Sequence, residues 1–261
     1  MEKSKFGMPY LCETAELEEA AALCSRLGLG FVELNMSFPN CAAGVLSAEA
    51  LLRLREQYGI GFTLHMEESF DPCAFNPCVR AAYLETFRQV LVLAQAVEIP
   101  IVTMHLPRGV YITLPEERVY LYAREPAHYR ESLRALCGMA EAAQVCVAVE
   151  NTSGFVPYER EAIELLLESP CFGLTLDIGH SAAANDCDLP FYDAHRKKLL
   201  HMHAHDADGK RDHLAFGDGR IDLHERLDRA RAAGVRVVLE IKTAAALGSS
   251  VPQLLEFGGS L

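Results

Sequence analysis

Seven stretches that read as β-strands end on an acid or a histidine: FVELN, TLHM, IVTMH, VAVEN, LTLDIGH, LLHMHAHD and VVLEIK. They place Glu33, His65, His105, Glu150, Asp177, His203 and Glu240 at strand ends. Carboxylates and imidazoles bind divalent cations and carry protons, so seven of them at one mouth would make a metal site. Asp and Glu number 36 and His 10 among 261 residues, too few for composition to explain seven such endings. The densest signal is LLHMHAHDADGKRDHLAFGDGRID, in which a strand bearing His201, His203 and His205 passes into Asp- and Gly-rich turns able to wrap a cation. With a side-chain period of two, those three histidines share one face of the strand.

The endings Glu150, Asp177, His203 and Glu240 supply four ligands. This oxygen-heavy set leans toward Mn²⁺ or Mg²⁺, and carboxylate with imidazole also suits Fe²⁺, Co²⁺ or Zn²⁺. His65 and His105 end neighbouring strands and are candidates for a second ion bridged by Glu150, a nitrogen-rich position that suits Zn²⁺. Glu33 reads as support or a substrate contact more than as a ligand. No organic cofactor is expected.

Convergence requires elements that deliver every strand end to one face. Strand-like and helix-like patterns alternate along the whole chain, which yields parallel strands joined by crossover helices. A strand around Lys5–Leu11 precedes a helix that Thr14 is expected to cap. Strands follow at Phe31–Asn35, Gly61–Met66, Ile101–His105, Val145–Asn151, Gly173–His180, Leu199–Asp206 and Val235–Lys242. Helices are expected from Ser47 to Tyr58, over Pro77–Val97, Pro126–Ala143, Tyr158–Glu168, Leu189–Lys198 and Ile221–Ala233, with a last turn near Pro252–Phe257. The stretch from Leu106 to Glu125 reads as a long loop overhanging the mouth. Eight strands with no linker or composition shift predict one α/β domain over residues 1–261, a single (β/α)8 TIM barrel; a doubly wound open sheet is the alternative, but it places ligands at one switch point and not at almost every strand end.

Lys and Arg number 24 against 36 Asp and Glu, a formal charge of −12. That field disfavours nucleic acid and anionic membranes and leaves a small molecule as the default partner; a homo-oligomer is compatible with the sequence. Nine cysteines without a CxxC pair fit a reducing compartment. The opening MEKSKFGMPYLCE lacks an apolar signal stretch, and no run nears the roughly 18 to 20 apolar residues of a membrane span, so a soluble, cytoplasmic protein is expected.

The order of motifs is Glu150-Asn151 after strand five, Asp177-x-x-His180 after strand six, then His203-x-x-Asp206, Asp212-His213 and Gly217-Asp218-Gly219 after strand seven, and Glu240 after strand eight. It resembles the xylose isomerase-like TIM barrels, a superfamily that includes sugar isomerases and epimerases and the DNA-repair nuclease endonuclease IV. The resemblance spans nearly the whole chain. Its epimerase branch implies one divalent metal on Glu150, Asp177, His203 and Glu240, with Glu150 and Glu240 as acid and base in proton transfer through a metal-stabilised enediolate of a sugar or sugar phosphate. His180 and His213 are then substrate-orienting groups, and Arg220, with Arg108 and Lys242, lies where an anionic substrate group would be met. The nuclease branch implies a zinc on His65, His105 and Glu150 and a third on His180 and His213 with an Asp two residues before the latter. Here that position is Arg211, which cannot ligate a cation unless Asp208 or Asp212 substitutes, so the resemblance ranks a zinc phosphodiester hydrolase acting on abasic DNA as the alternative. A non-catalytic sugar-binding barrel is the remaining class.

Overall fold

The computed structural model describes residues 3–254. Eight parallel strands close into a barrel: β1 (Phe6–Pro9), β2 (Phe31–Asn35), β3 (Gly61–His65), β4 (Val102–His105), β7 (Val147–Glu150), β8 (Phe172–Asp177), β9 (Leu199–Ala204) and β10 (Arg236–Leu239). They run around the barrel as β1-β10-β9-β8-β7-β4-β3-β2, with β2 hydrogen-bonded back to β1. Helices wrap the outside: α1 (Leu17–Arg26), α2 (Ala48–Tyr58), α3 (Pro77–Val97), α5 (Pro126–Ala143), α6 (Pro157–Leu167), α7 (Ile178–Ala183), α8 (Leu189–Ala194), α9 (Leu223–Ala233) and α10 (Ala244–Ser250). Among the described residues no helix is long and apolar enough to cross a membrane.

Local chemistry sets most boundaries. Ser47 caps α2 by accepting from Ala50 N, and Gly59 closes it at φ 66°, a left-handed turn that glycine adopts without strain. Asn76 and Pro77 begin α3, and Asp222 caps α9 through Glu225 N. Strand residues alternate between two burials. Val32, Leu34, Val147, Val149 and Met202 belong to the apolar core. The alternate positions form a polar layer inside the barrel, where Thr63 donates to Glu33 and the Thr103 and Thr175 hydroxyls meet at 3.2 Å. Gly7 makes room for the Phe31 ring, since a Cβ there would lie 2.4 Å from it.

Several expectations are corrected. Residues 106–125 are not a loop but a hairpin, β5 (Tyr111–Thr113) and β6 (Arg118–Tyr120), followed by α4 (Leu121–Arg124). Tyr111 and Tyr120 pair across it at 5.6 Å, and Arg118 lies over the Tyr111 ring, cross-strand contacts that offset the lack of a buried face. Thr14 does not cap α1: its hydroxyl donates to Leu11 O, and Glu16 occupies the cap position in extended conformation. The sixth barrel strand stops at Asp177 because that carboxylate accepts from His180 N at 2.6 Å and starts α7, so His180 lies on a helix. The helix expected over Leu189–Lys198 is α8 followed by a separate 3₁₀ turn, Arg196–Lys198. The turn expected near Pro252–Phe257 extends beyond the described residues, and α10 before it had no sequence counterpart.

Candidate metal centre

The fold delivers the four expected ligands to one point. One ligand atom from each of Glu150, Asp177, His203 and Glu240 lies within 4.8 Å of every other. Each side chain is held so that one atom is spoken for and another faces its neighbours. Asp177 Oδ1 accepts from His180 N, and its buried Oδ2 has no hydrogen-bond partner. Lys242 Nζ holds Glu240 Oε1 at 2.5 Å, which leaves the buried Oε2 to face His203. His203 sets its Nε2 2.8 Å from Glu33 Oε2, turning Nδ1 to Glu150 Oε1 at 3.1 Å and Glu240 Oε2 at 3.2 Å.

Three carboxylates packed around one imidazole, with Asp177 Oδ2 buried and without a hydrogen-bond partner, form an array that needs positive charge at its centre. In the metal-free protein the His203 proton provides it. Burial opposes ionisation of Glu150 and Glu240, but the His203 imidazolium more than offsets it and holds both well below the usual carboxylate range. Burial likewise opposes the charged His203 ring, and Glu150, Glu33 and Glu240 overcome it and raise that imidazole well above its ordinary value. A divalent cation would meet the same need with the proton displaced, so the donor set fits a bound metal.

A second cluster shares Glu150. His65 Nε2 and His105 Nε2 stand 3.1 and 3.3 Å from Glu150 Oε2. His65 Nδ1 donates to the Met66 carbonyl at 2.7 Å, and His105 Nδ1 meets Glu68 Oε2 at 3.0 Å. With those protons committed, the Nε2 atoms that face Glu150 call for a further proton, or for a cation in its place. Glu68, which sequence reasoning missed, is brought down to about 2, chiefly by its bond to His105. Burial disfavours the charged His105 ring, but Glu150 and Glu68 raise it to about 10.

The remaining candidates fall at graded distances. His180 and His213 approach with ring centroids 5.7 Å apart. Their Nδ1 atoms donate to Asn151 O and Glu240 O, which leaves Nε2 of both rings for another partner. Glu33 lies deeper, bonded by Thr63 and His201 as well as His203, and it lines a cavity of about 70 Å³ with Tyr10, Asn35, His65, Glu240 and Lys242. Arg220 is exposed on the loop after β9, where its backbone N–H donates to Ala207 O. Arg108 spends its guanidinium on Glu159, Ser153 Oγ and Gly154 O, which pins the turn after β4 to α6. Arg211 holds Asp208 Oδ2 at 2.8 Å, so Asp208 does not replace the missing carboxylate; His205 groups with His180 and His213 instead.

Asn151 is a second residue whose role the sequence left undefined. Its amide pairs with both the N–H and the C=O of Asp177 at 2.9 Å and takes the Tyr192 hydroxyl, fixing the ends of β7 and β8 against each other.

The family model for the xylose isomerase-like TIM barrel matches residues 21–257. No curated protein matches the chain. Among solved structures, a D-tagatose 3-epimerase-like protein is 22% identical with a TM-score of 0.80, covering 97% of this chain and 96% of that one. The 3-keto-D-glucoside 4-epimerase from E. coli is 17% identical with a TM-score of 0.77, covering 97% and 99%. The D-allulose 3-epimerase from Methylomonas, solved with D-allulose, is 12% identical with a TM-score of 0.74, covering 97% and 96%.

Proposed function

We propose that this chain, which belongs to the xylose isomerase-like TIM barrel family, is a divalent-metal-dependent sugar isomerase or epimerase. The observation that carries this reading is the meeting of Glu150 and Glu240, from strands separated by β8 and β9, on the one imidazole of His203, with the buried Asp177 Oδ2 left without a hydrogen-bond partner beside them. Glu150, Asp177, His203 and Glu240 would hold the ion. A divalent cation held there would polarise a ketose carbonyl and its neighbouring hydroxyl and so lower the cost of removing the C–H proton from the hydroxyl-bearing carbon. One of the two glutamates takes that proton and the other returns one, the division of labour a carbon epimerisation needs. His180 and His213 present Nε2 to sugar hydroxyls. Lys242, already beside Glu240, adds to the His203 charge in keeping that carboxylate ionised. The sugar epimerases of similar fold support a small-molecule sugar as substrate.

Incubation in D2O with D-tagatose, D-allulose, L-ribulose and their phosphates tests the reading. Deuterium should enter a carbon next to the carbonyl in the presence of Mn²⁺ or Co²⁺ and not after chelation. A full panel without isotope entry, in protein that retains its metal, would reject it.

One observation favours the second reading, a zinc phosphodiester hydrolase: His65 and His105 converge on Glu150 Oε2 as a nitrogen-rich position for a second ion. Against it stand Arg211 in place of a ligating Asp and the charge of −12. Absence of a nick in abasic duplex DNA at saturating Zn²⁺ would dispose of it.

A further inference from the structure

His205 takes no part in the ligand set above, yet it is fully buried, and each of its two nitrogens faces a different element. Nε2 lies 3.1 Å from Asp177 Oδ1, at the end of β8. Nδ1 accepts the backbone N–H of His213 at 2.8 Å, from the loop that follows β9. The Asp206 carbonyl also lies 3.2 Å from Nδ1, but the His213 N–H is the shorter contact, and a ring that accepts it at Nδ1 carries its proton on Nε2, beside the carboxylate.

The effect on each partner is definite. Asp177 Oδ1 accepts from His180 N and has His205 Nε2 in close contact at 3.1 Å, while Oδ2, without a hydrogen-bond partner, is the oxygen left for an ion. His213 is held at φ 52°, a left-handed conformation uncommon outside glycine, and its ring Nδ1 donates to Glu240 O at 3.0 Å. The rest of the loop closes on Asp206, whose buried carboxylate accepts from the N–H groups of Ala207, Gly217, Gly219 and Ile221. These bonds tie the loop to one carboxylate, and His213 is where it meets the barrel mouth. Space for the His205 ring depends on Gly179, where a Cβ would lie 1.8 Å from His205 Cε1.

From this geometry we infer that His205 is a positioning residue that couples the ligand Asp177 to the loop at 206–222, so that filling the metal site and fixing His213 are linked events. The inference rests on the metal reading proposed above. It assigns the chain a route by which cation binding prepares the substrate-facing imidazole, and conversely by which a ligand held on His213 tightens the cation, as reciprocity demands.

Two near-isosteres separate the halves of the link. Asparagine places its carbonyl oxygen near the position of imidazole Nδ1, and glutamine places its amide nitrogen near that of Nε2. His205→Asn keeps an acceptor for His213 N–H and loses the contact with Asp177; His205→Gln does the reverse. The full chain would be titrated with Mn²⁺ by calorimetry, and amide exchange of peptides covering 206–222 followed by mass spectrometry with and without the ion, with thermal midpoints as the folding control.

In the wild type Mn²⁺ should slow exchange in that loop. His205→Asn should weaken Mn²⁺ on the order of 10-fold, as expected when the partner of a ligand is removed, with the metal-free loop still protected. His205→Gln should bind Mn²⁺ near the wild-type value, with a loop that exchanges fast and no longer responds to the ion. Wild-type behaviour in both variants, or identical losses of affinity and protection in both, would overturn the link. A wild-type protein that binds neither Mn²⁺ nor Zn²⁺ would overturn the metal reading itself and the link with it, a result readily told apart from failure of the variants.

Discussion

Glu33 and His203 sit 2.8 Å apart at the floor of the barrel mouth, one carboxylate oxygen against Nε2, and that contact decides which nitrogen of His203 meets Glu150 and Glu240. A carboxylate behind a ligating histidine fixes ring orientation and raises its basicity. Glu33→Gln, which keeps the shape and removes the charge, should therefore weaken divalent-metal affinity on the order of 10-fold with little change in fold. Calorimetric titration with Mn²⁺ measures it, and an unaltered affinity would deny Glu33 this role.

The two glutamates should behave as a pair in catalysis. Glu150→Gln and Glu240→Gln, assayed at saturating cation so that weakened ligation is compensated, should each lower solvent-deuterium exchange into a ketose by about 10²- to 10⁴-fold, the range for loss of a general acid or base. Exchange at the wild-type rate in either protein, with metal content verified, would remove that residue from proton transfer.

Metal removal should be visible in stability. Asp177 Oδ2, buried without a hydrogen-bond partner, gains one when a cation binds the folded state, and Glu150 and Glu240, which otherwise share the His203 Nδ1 proton, gain a stronger counter-charge. Saturation at a hundred times the dissociation constant would add about 2.7 kcal/mol, so chelation should lower the thermal midpoint by several degrees and Mn²⁺ or Zn²⁺ restore it. A midpoint indifferent to both chelator and metal would contradict a resident ion.

Cysteine reactivity should divide by burial and by pH. Burial pushes the Cys24 and Cys41 thiols up to about 12, and the thiolate is the reactive form. A raised value means that reactivity is suppressed below it and appears only as pH climbs toward it. At pH 8 a thiol-specific reagent should therefore label exposed Cys12, Cys78 and Cys187 quickly, with Cys24 and Cys41 labelled only after denaturation. Peptide mapping reads the outcome, and rapid native labelling of Cys24 would show that its site opens.

Much of the architecture was legible because hydrophobic alternation and capping residues act locally. Ser47, Asn76, Asp222 and Gly59 mark helix ends by bonds or torsions within a few residues, so the pattern around each is sufficient to place it. Thr14 and the hairpin at 111–120 were misread for the opposite reason. The Thr14 hydroxyl chose a turn carbonyl over a helix amide, and the hairpin draws on the Tyr111–Tyr120 pair instead of a buried face.

The candidate site divides in the same way. Glu150, Asp177, His203 and Glu240 could be named from the chain alone, since a closed parallel barrel brings every strand's last residues to one rim whatever the intervening helices do. Which oxygen or nitrogen each one presents depends on partners far away in the chain: Glu33 behind His203, Glu68 on His105, Asn151 across Asp177, His205 between Asp177 and His213. Periodicity tells which side of a strand a residue takes, but the pairing of its polar atoms is set by neighbours on other strands, and only folding brings those together.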